Sequence, residues 1–275
     1  MSNATQRVIL ITGASSGLGR AAAEHLTAHG DRVYGTSRAP ADTAPFTLLP
    51  LDVTNDASVS AFVAEVMRRE GRIDALVNNA GHAFVGAVEE TDIEALNDQL
   101  AVNVVGAHRM TLAVLPVMRA QGSGRIVNIS SLSGVVPFPF LGAYSASKHA
   151  LEALTEALSF ELFGTGVHVS LIEPEGMRTA IAFHLPRADH PDLADRRRAI
   201  LARLQASTRD DGADPEVLAI ALAAILDNAE PPLRTVIGEA ASRVMAARRD
   251  LPEPEYRAML VSMLGLDRAP QALST

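Results

Sequence analysis

Tyr144 and Lys148 stand four residues apart in a stretch with helical periodicity, so their side chains share one face of a helix. A phenol alone titrates near 10 and is a poor acid–base catalyst at neutral pH. A neighbouring ammonium favours the phenolate and lowers that value. A shift of about three units takes roughly 4 kcal/mol of differential interaction, within reach of a close, partly buried pair. Ser131 lies 13 residues before Tyr144 at the end of an apolar run, where its hydroxyl can donate to a substrate oxygen. The three together predict proton exchange with an oxygen atom.

A second group could hold a phosphate. The run Thr12-Gly13-Ala14-Ser15-Ser16-Gly17-Leu18-Gly19 follows a short apolar segment and opens a helix-like one. Three glycines in such a turn let backbone approach a pyrophosphate, and the helix start supplies free N–H groups and a positive dipole end. The eight histidines show no metal-ligand spacing; His82, His149 and His168 are scattered singly and read as packing or surface residues, so no metal is expected.

These groups need a scaffold, and the hydropathy pattern supplies one. Candidate strands cover residues 8–12, 32–37, 46–51, 75–78, 125–130, 167–173 and 235–237. Several are apolar at consecutive positions, which predicts burial on both faces in a parallel sheet covered by helices. Helical patterns cover 18–29, 57–69, 93–118, 143–163 and 215–226, the last opened by Asp214 as cap and Pro215. Strand and helix alternating this way predict right-handed crossovers and a Rossmann-type doubly wound α/β fold. Neither a repeat nor a flexible linker divides the 275 residues, so one catalytic domain is expected. Residues 175–212 break the alternation and are expected to form a lid over the substrate. The tail at 251–275 carries Met259, Leu260, Met263 and Leu264, the pattern of a helix docked on the core or on a neighbouring subunit.

Composition narrows the function. An apolar share of 48% against 20% charged excludes a disordered chain. Aromatics at 4% with no Trp argue against base-stacking platforms. The absence of Cys removes disulfides, thiolate metal sites and a Cys nucleophile, and it fits a reducing, cytoplasmic compartment. With 24 basic against 32 acidic side chains, the net charge of −8 is the wrong sign for nucleic acid or anionic lipid. The longest uncharged run, residues 126–147, carries five Ser and two Pro and is a poor membrane span. No membrane insertion is expected.

The glycine loop, Leu51-Asp52-Val53, Asn78-Asn79-Ala80-Gly81, Asn103, Ile129-Ser130-Ser131 and Tyr144-Ser145-Ala146-Ser147-Lys148, in this order, resemble the short-chain dehydrogenase/reductase family. The similarity spans about residues 7–237, and 103–110 with 166–173 look most like the steroid and retinol dehydrogenase branch. It implies a seven-stranded parallel sheet with helices on both faces, and hydride transfer between a nicotinamide and a carbonyl or alcohol carbon. By this resemblance Tyr144 exchanges the proton, Ser131 holds the oxygen, and Lys148 tunes Tyr144 and binds the nicotinamide ribose. Asn103 holds a water in the proton relay. Ser130 and Ser133 are competing hydroxyls, and the 13-residue interval favours Ser131. The implied cofactor contacts are Gly13, Ser15, Ser16, Gly17, Leu18, Gly19, Ser37, Arg38, Asp52, Val53, Asn79, Ala80, Gly81, Pro174, Gly176 and Thr179, with Tyr144 and Lys148. Asp52 bonds the adenine amino group or caps the turn before Asn55; Asn78 and Asn79 serve the site or simply tie strands together.

Ser37 stands where NAD-dependent members of the family carry an acid for the ribose hydroxyls, and Arg38 follows it. A guanidinium gives forked, charge-assisted bonds to a phosphate, so NADP(H) is expected over NAD(H). One place departs from the family pattern: Glu173-Pro174-Glu175-Gly176 puts Glu175 where glycine is usual. There it bonds the carboxamide or points to solvent, with Gly176 taking over the close approach. Residues 134–141 are uncharged, and Met177, Ile181, Ala182, Phe183 and Leu185 follow on the lid, which suits a bulky apolar ketone, aldehyde or secondary alcohol. His184, Arg178 and Arg187 are the polar side chains within reach. The apolar helix 143–163 suits a homodimer or homotetramer. The alternatives are a regulator that binds NADPH without turnover, and an NAD-dependent enzyme.

Overall fold

Ile9 and Ile11 face one hydrophobic core while Val8 and Leu10 face another, which explains why the first strand is apolar at every position. The computed structural model describes residues 6–40, 44–187, 190–209 and 211–266. The strand β1 (Val8–Ile11) leads to α1 (Gly17–Ala28), then β2 (Arg32–Ser37), β3 (Thr47–Pro50), α2 (Asp56–Glu70) and β4 (Ala75–Asn78). Next come β5 (Ala83–Phe84), α3 (Ile93–Leu100), π-helical turns over Ala101–Gly106, α4 (Ala107–Gln121), β6 (Gly124–Ile129), α5 (Gly142–Glu161) and β7 (Val167–Pro174). The chain closes with β8 (Phe183–His184), α6 (Pro191–Arg209), α7 (Pro215–Asp227), β9 (Arg234–Ile237), α8 (Glu239–Asp250) and α9 (Glu253–Leu264).

Seven strands form one parallel sheet in the order β3-β2-β1-β4-β6-β7-β9. Leu26 of α1 and Leu218, Leu222 and Ile225 of α7 cover one face; Val59, Phe62 and Val66 of α2, with Met110, Val114 and Met118 of α4, cover the other. The first strands run outward from β1 to β3, and the chain then returns to lay β4 on the opposite side of β1. The carboxyl ends of β1 and β4 therefore open a crevice, the place where such sheets bind ligands.

The expected helix at 93–118 is interrupted. Wider turns at Ala101–Gly106 separate α3 from α4, and they bury Asn103. Gly106 lies against Val53, whose Cγ2 would be 2.7 Å from an added Cβ. The stretch Ile93–Gln121 reaches the length and hydropathy of a membrane-crossing helix, yet its apolar side packs on the sheet. Helix ends follow the sequence signals: Asn55 caps α2 by accepting from Ser58 N at 2.9 Å, and Asp214 accepts from Glu216 N at 3.0 Å before Pro215.

Residues 175–212 contain β8, paired with β5, and α6. Arg197 is buried and paired with Glu90, while its neighbours Arg196 and Arg198 are exposed. Tyr256 of α9 packs with Val244 of α8 and with Val136, and Met259 and Leu260 lie alongside, so this part of the tail docks on its own chain. Residues 188, 189 and 210 of the expected lid and 267–275 of the expected tail lie outside the described residues.

Candidate active site

Thr12 follows β1 and ties the glycine loop to β4. Its Oγ1 accepts from Asn79 N and Ala80 N at 2.9 Å each, and Asn79 Nδ2 donates to Thr12 O at 2.9 Å and Gly13 O at 3.0 Å. Gly13 has φ +67°, the left-handed region that glycine adopts without penalty. Gly19 has no room for a Cβ because the Asn79 amide passes over it. Gly19 is therefore the one residue of the expected cofactor set that does not line the cleft; it sits behind the loop and allows its shape. Asn79 is a structural tie as well as a lining residue. Asn78 is buried and donates to Asn128 Oδ1 at 2.8 Å, joining β4 to β6.

All the other expected catalytic and cofactor residues line a single cleft of about 830 Å³. Ser15, Ser16, Gly17 and Leu18 stand at the start of α1, which carries no acidic residue in its first turn and no side-chain cap on its N–H groups. A helix start of this kind can hold an anion. Thr179 meets it from the far side, where an added Gly17 Cβ would be 2.7 Å from Thr179 Oγ1. Ser37 and Arg38 line the end beyond β2; Arg38 is exposed and makes no hydrogen bond or ion pair among the described residues. Asp52 Oδ1 accepts from Thr54 N at 2.9 Å and Thr54 Oγ1 at 2.7 Å, and these bonds hold its carboxyl below the usual range. One Asp52 oxygen thus braces the turn. These features fit a dinucleotide whose phosphates meet α1 and whose adenosine end meets Arg38.

At the other end, β6 delivers Ser131 and α5 delivers Tyr144 and Lys148. Ser131 Oγ accepts from Ser133 N at 3.1 Å, which leaves its proton free to donate. Lys148 Nζ donates to Ile129 O at 2.7 Å and lies 5.8 Å from the centroid of the Tyr144 ring. Burial pushes the Tyr144 phenol up, with the Ser131 hydroxyl acting the other way. Burial also lowers Lys148 to about 8, opposed by the Glu152 carboxylate. This differs from the expectation of a lowered phenol: burial is the larger influence on Tyr144, and the Ser131 hydroxyl opposes it. Asn103 is fully engaged through its side chain. Its Oδ1 accepts from His82 N at 3.1 Å, and its Nδ2 donates to His82 O at 3.0 Å and Ser147 Oγ at 3.1 Å.

After β7, Glu175 has a partner that neither alternative included. Its Oε2 accepts from Ala241 N at 2.8 Å, so the carboxylate caps the start of α8. Gly238, at φ +110°, leaves the space that the Glu175 side chain fills. Gly176 lacks a side chain because Ser207 of α6 lies against it, 2.8 Å from an added Cβ. Pro174, Gly176 and Thr179 all remain at the cleft, clamped by Thr179 N donating to Thr208 O at 2.9 Å.

The outer walls are mostly apolar. Phe138, Pro139 and Leu141 line the cleft from one side and Met177, Ile181 and Phe183 from the other. Val136 instead packs into the core, and Leu185 is exposed. Arg178 pairs with Asp214, and Arg187 pairs with Glu94 at 2.7 Å, so neither lines the cleft. Sequence reasoning missed Ile200, Arg203 and Leu204, whose spacing on α6 was a readable signal, and Leu264 of α9. It also missed Asp98, and it read His82 as isolated, whereas His82, Asp98 and His184 come together at the cleft.

A family model described as short chain dehydrogenase matches residues 7–189. The chain is 38% identical over 237 residues to a 3-ketodihydrosphingosine reductase of Bacteroides thetaiotaomicron, covering 84% of this chain and 88% of that one. A solved short-chain dehydrogenase from Streptomyces avermitilis superposes with a TM-score of 0.82 at 37% identity, over 96% of this chain and 98% of that one. A serine dehydrogenase solved with NADP+ gives 0.71 at 25% identity, over 84% and 94%.

Proposed function

Since the chain belongs to the short-chain dehydrogenase family and is an oxidoreductase of that family, we propose that it interconverts a bulky apolar carbonyl compound and its alcohol with NADP(H). The observation that carries the reading is the convergence of Ser131, Tyr144 and Lys148 on one cleft whose outer walls are apolar. NADP(H), when bound, supplies or accepts the hydride. Tyr144 donates its proton to the carbonyl oxygen during reduction and takes it back during oxidation. Ser131 donates a hydrogen bond to the same oxygen and so favours the charge that develops there. Lys148 keeps positive charge beside the phenol and faces the ribose. The Asn103 side chain is held by His82 and Ser147, so a relay water would rest on the Asn103 backbone. Arg38 forks onto a 2′-phosphate, with Ser15, Ser16 and Ser37 as hydroxyl donors beside it.

The substrate buries hydrocarbon against Phe138, Leu141, Ile181 and Phe183, worth about 25 cal/mol per Å² of apolar area removed from water. A polyol would lose water at each hydroxyl with few partners in return. Residues 175–212 act as the lid, and the tail braces the loop beside Ser131 through Val136. The protein works in the cytoplasm as a homodimer or homotetramer through α4 and α5, which leave Leu112, Leu154 and Phe160 exposed. The test compares kcat/KM for matched series of apolar carbonyls and of sugars or hydroxy acids, followed by NADPH absorbance. Preference for the apolar series is expected; preference for the small polar series refutes the substrate class.

A further inference from the structure

His82, Asp98 and His184 are 102 positions apart at their extremes yet meet at the mouth of the cleft. Their donor atoms all lie within 4.8 Å of one another. His82 Nε2 is 3.3 Å from Asp98 Oδ2, and the two imidazole rings lie 4.4 Å apart between centroids, 11° from parallel. Among the described residues, neither ring makes a hydrogen bond or ion pair apart from that His82–Asp98 contact.

The backbone beneath the cluster is held in place. Ala83 N donates to Ala182 O at 3.0 Å and Val85 N to His184 O at 2.8 Å, which fixes β5 against β8. The His82 carbonyl accepts from Gln99 Nε2 at 2.8 Å and Asn103 Nδ2 at 3.0 Å.

We propose that His82, Asp98 and His184 form a binding site for a first-row divalent transition ion of the zinc, cobalt or nickel type. Two imidazoles and a carboxylate with open positions are the donor set such ions take. Donors about 2.0–2.2 Å from an ion stand about 3.3–3.5 Å from each other at tetrahedral angles. The His82–Asp98 separation already matches, and His184, exposed on a two-residue strand, turns its ring to close the third position. A bound ion ties β8, within residues 175–212, to α3 and to the loop that Asn103 holds. It would pin the mouth of the cleft.

The experiment uses the tag-free, chelator-treated full chain, titrated with Zn²⁺ by calorimetry and with Co²⁺ by visible absorption. One equivalent of Zn²⁺ should bind with a Kd on the order of 10 µM or tighter, with the d–d bands of four- or five-coordinate Co²⁺. His184→Ala and Asp98→Asn should each weaken binding at least about tenfold, with folding checked by circular dichroism. These two are chosen because their side chains are exposed and make no hydrogen bond among the described residues. A second stacked pair, His25 and His29 at 4.2 Å beside Glu216, serves as the control, so His25→Ala must leave the site intact. Binding that survives His184→Ala and Asp98→Asn, binding abolished by His25→Ala, or no binding at about 100 µM Zn²⁺ overturns the proposal.

Discussion

Lys148 Nζ stands 5.8 Å from the centre of the Tyr144 ring and is bonded at 2.7 Å to the carbonyl of Ile129, not to the phenol. The position of the ammonium beside the ring is therefore set by β6. In the proposed reaction the two roles are separate: Tyr144 moves the proton, and Lys148 supplies charge and a ribose contact. Tyr144→Phe is expected to lower kcat by about 10²–10⁴-fold while NADPH affinity stays within a few-fold. Lys148→Ala should damage both turnover and affinity. Near-normal kcat in the Tyr144→Phe protein, measured by NADPH absorbance, would remove the acid–base assignment.

Lys148 titrates at about 8 because burial disfavours its charge, and Glu152, one turn along α5, raises it against that burial. As pH rises through about 8 the ammonium is lost, so kcat/KM for carbonyl reduction should fall on that limb. Glu152→Gln withdraws the opposing carboxylate and should move the limb to lower pH. A pH–rate profile in which the limb stays put would show that Glu152 does not act on Lys148.

Arg38 sets the cofactor preference in this reading. NADPH should bind at least tenfold tighter than NADH, a difference of about 1.4 kcal/mol. Replacing Ser37 with Asp and Arg38 with Ala supplies an acid for the ribose hydroxyls and should reverse the order. Fluorescence titration with both cofactors decides it; equal Kd values in the unmodified protein would rule the assignment out.

Glu173 is wholly buried, and neither carboxylate oxygen has a hydrogen-bond partner among the described residues. Burial and the adjacent Glu152 raise its pKa to about 7, although Arg234 lies 3.5 Å away. A raised folded-state pKa favours the protonated fold. The stability it contributes is complete below the ordinary carboxyl value of 4.5 and is lost as pH rises through about 7. Glu173→Gln should raise Tm at pH 8 more than at pH 5. Equal changes at both pH values, by calorimetric melting, would contradict the buried acid.

Glu175 caps α8 through Ala241 N. Glu175→Gly, the residue usual in the family at this place, should cost about 1 kcal/mol, or about 2 °C in Tm for a chain of this size. An unchanged melt would mean that the cap carries no stability.

The local pattern was enough for the sheet. Strands buried on both faces must be apolar at consecutive positions, so residues 75–78 are readable to the residue and the first strand to within one. The glycine loop, Ser131, Tyr144 and Lys148 were likewise legible, because a turn, a strand end and an i,i+4 pair are short-range relations. Three things were decided by the tertiary structure alone. The direction of the Tyr144 shift depends on desolvation, which is a property of everything packed around the ring. The role of Glu175 depends on α8, which begins 64 positions later and meets it only because β9 lies beside β7. The meeting of His82 with His184 depends on β5 pairing with β8, two strands of two residues each, too short to leave a periodic signal.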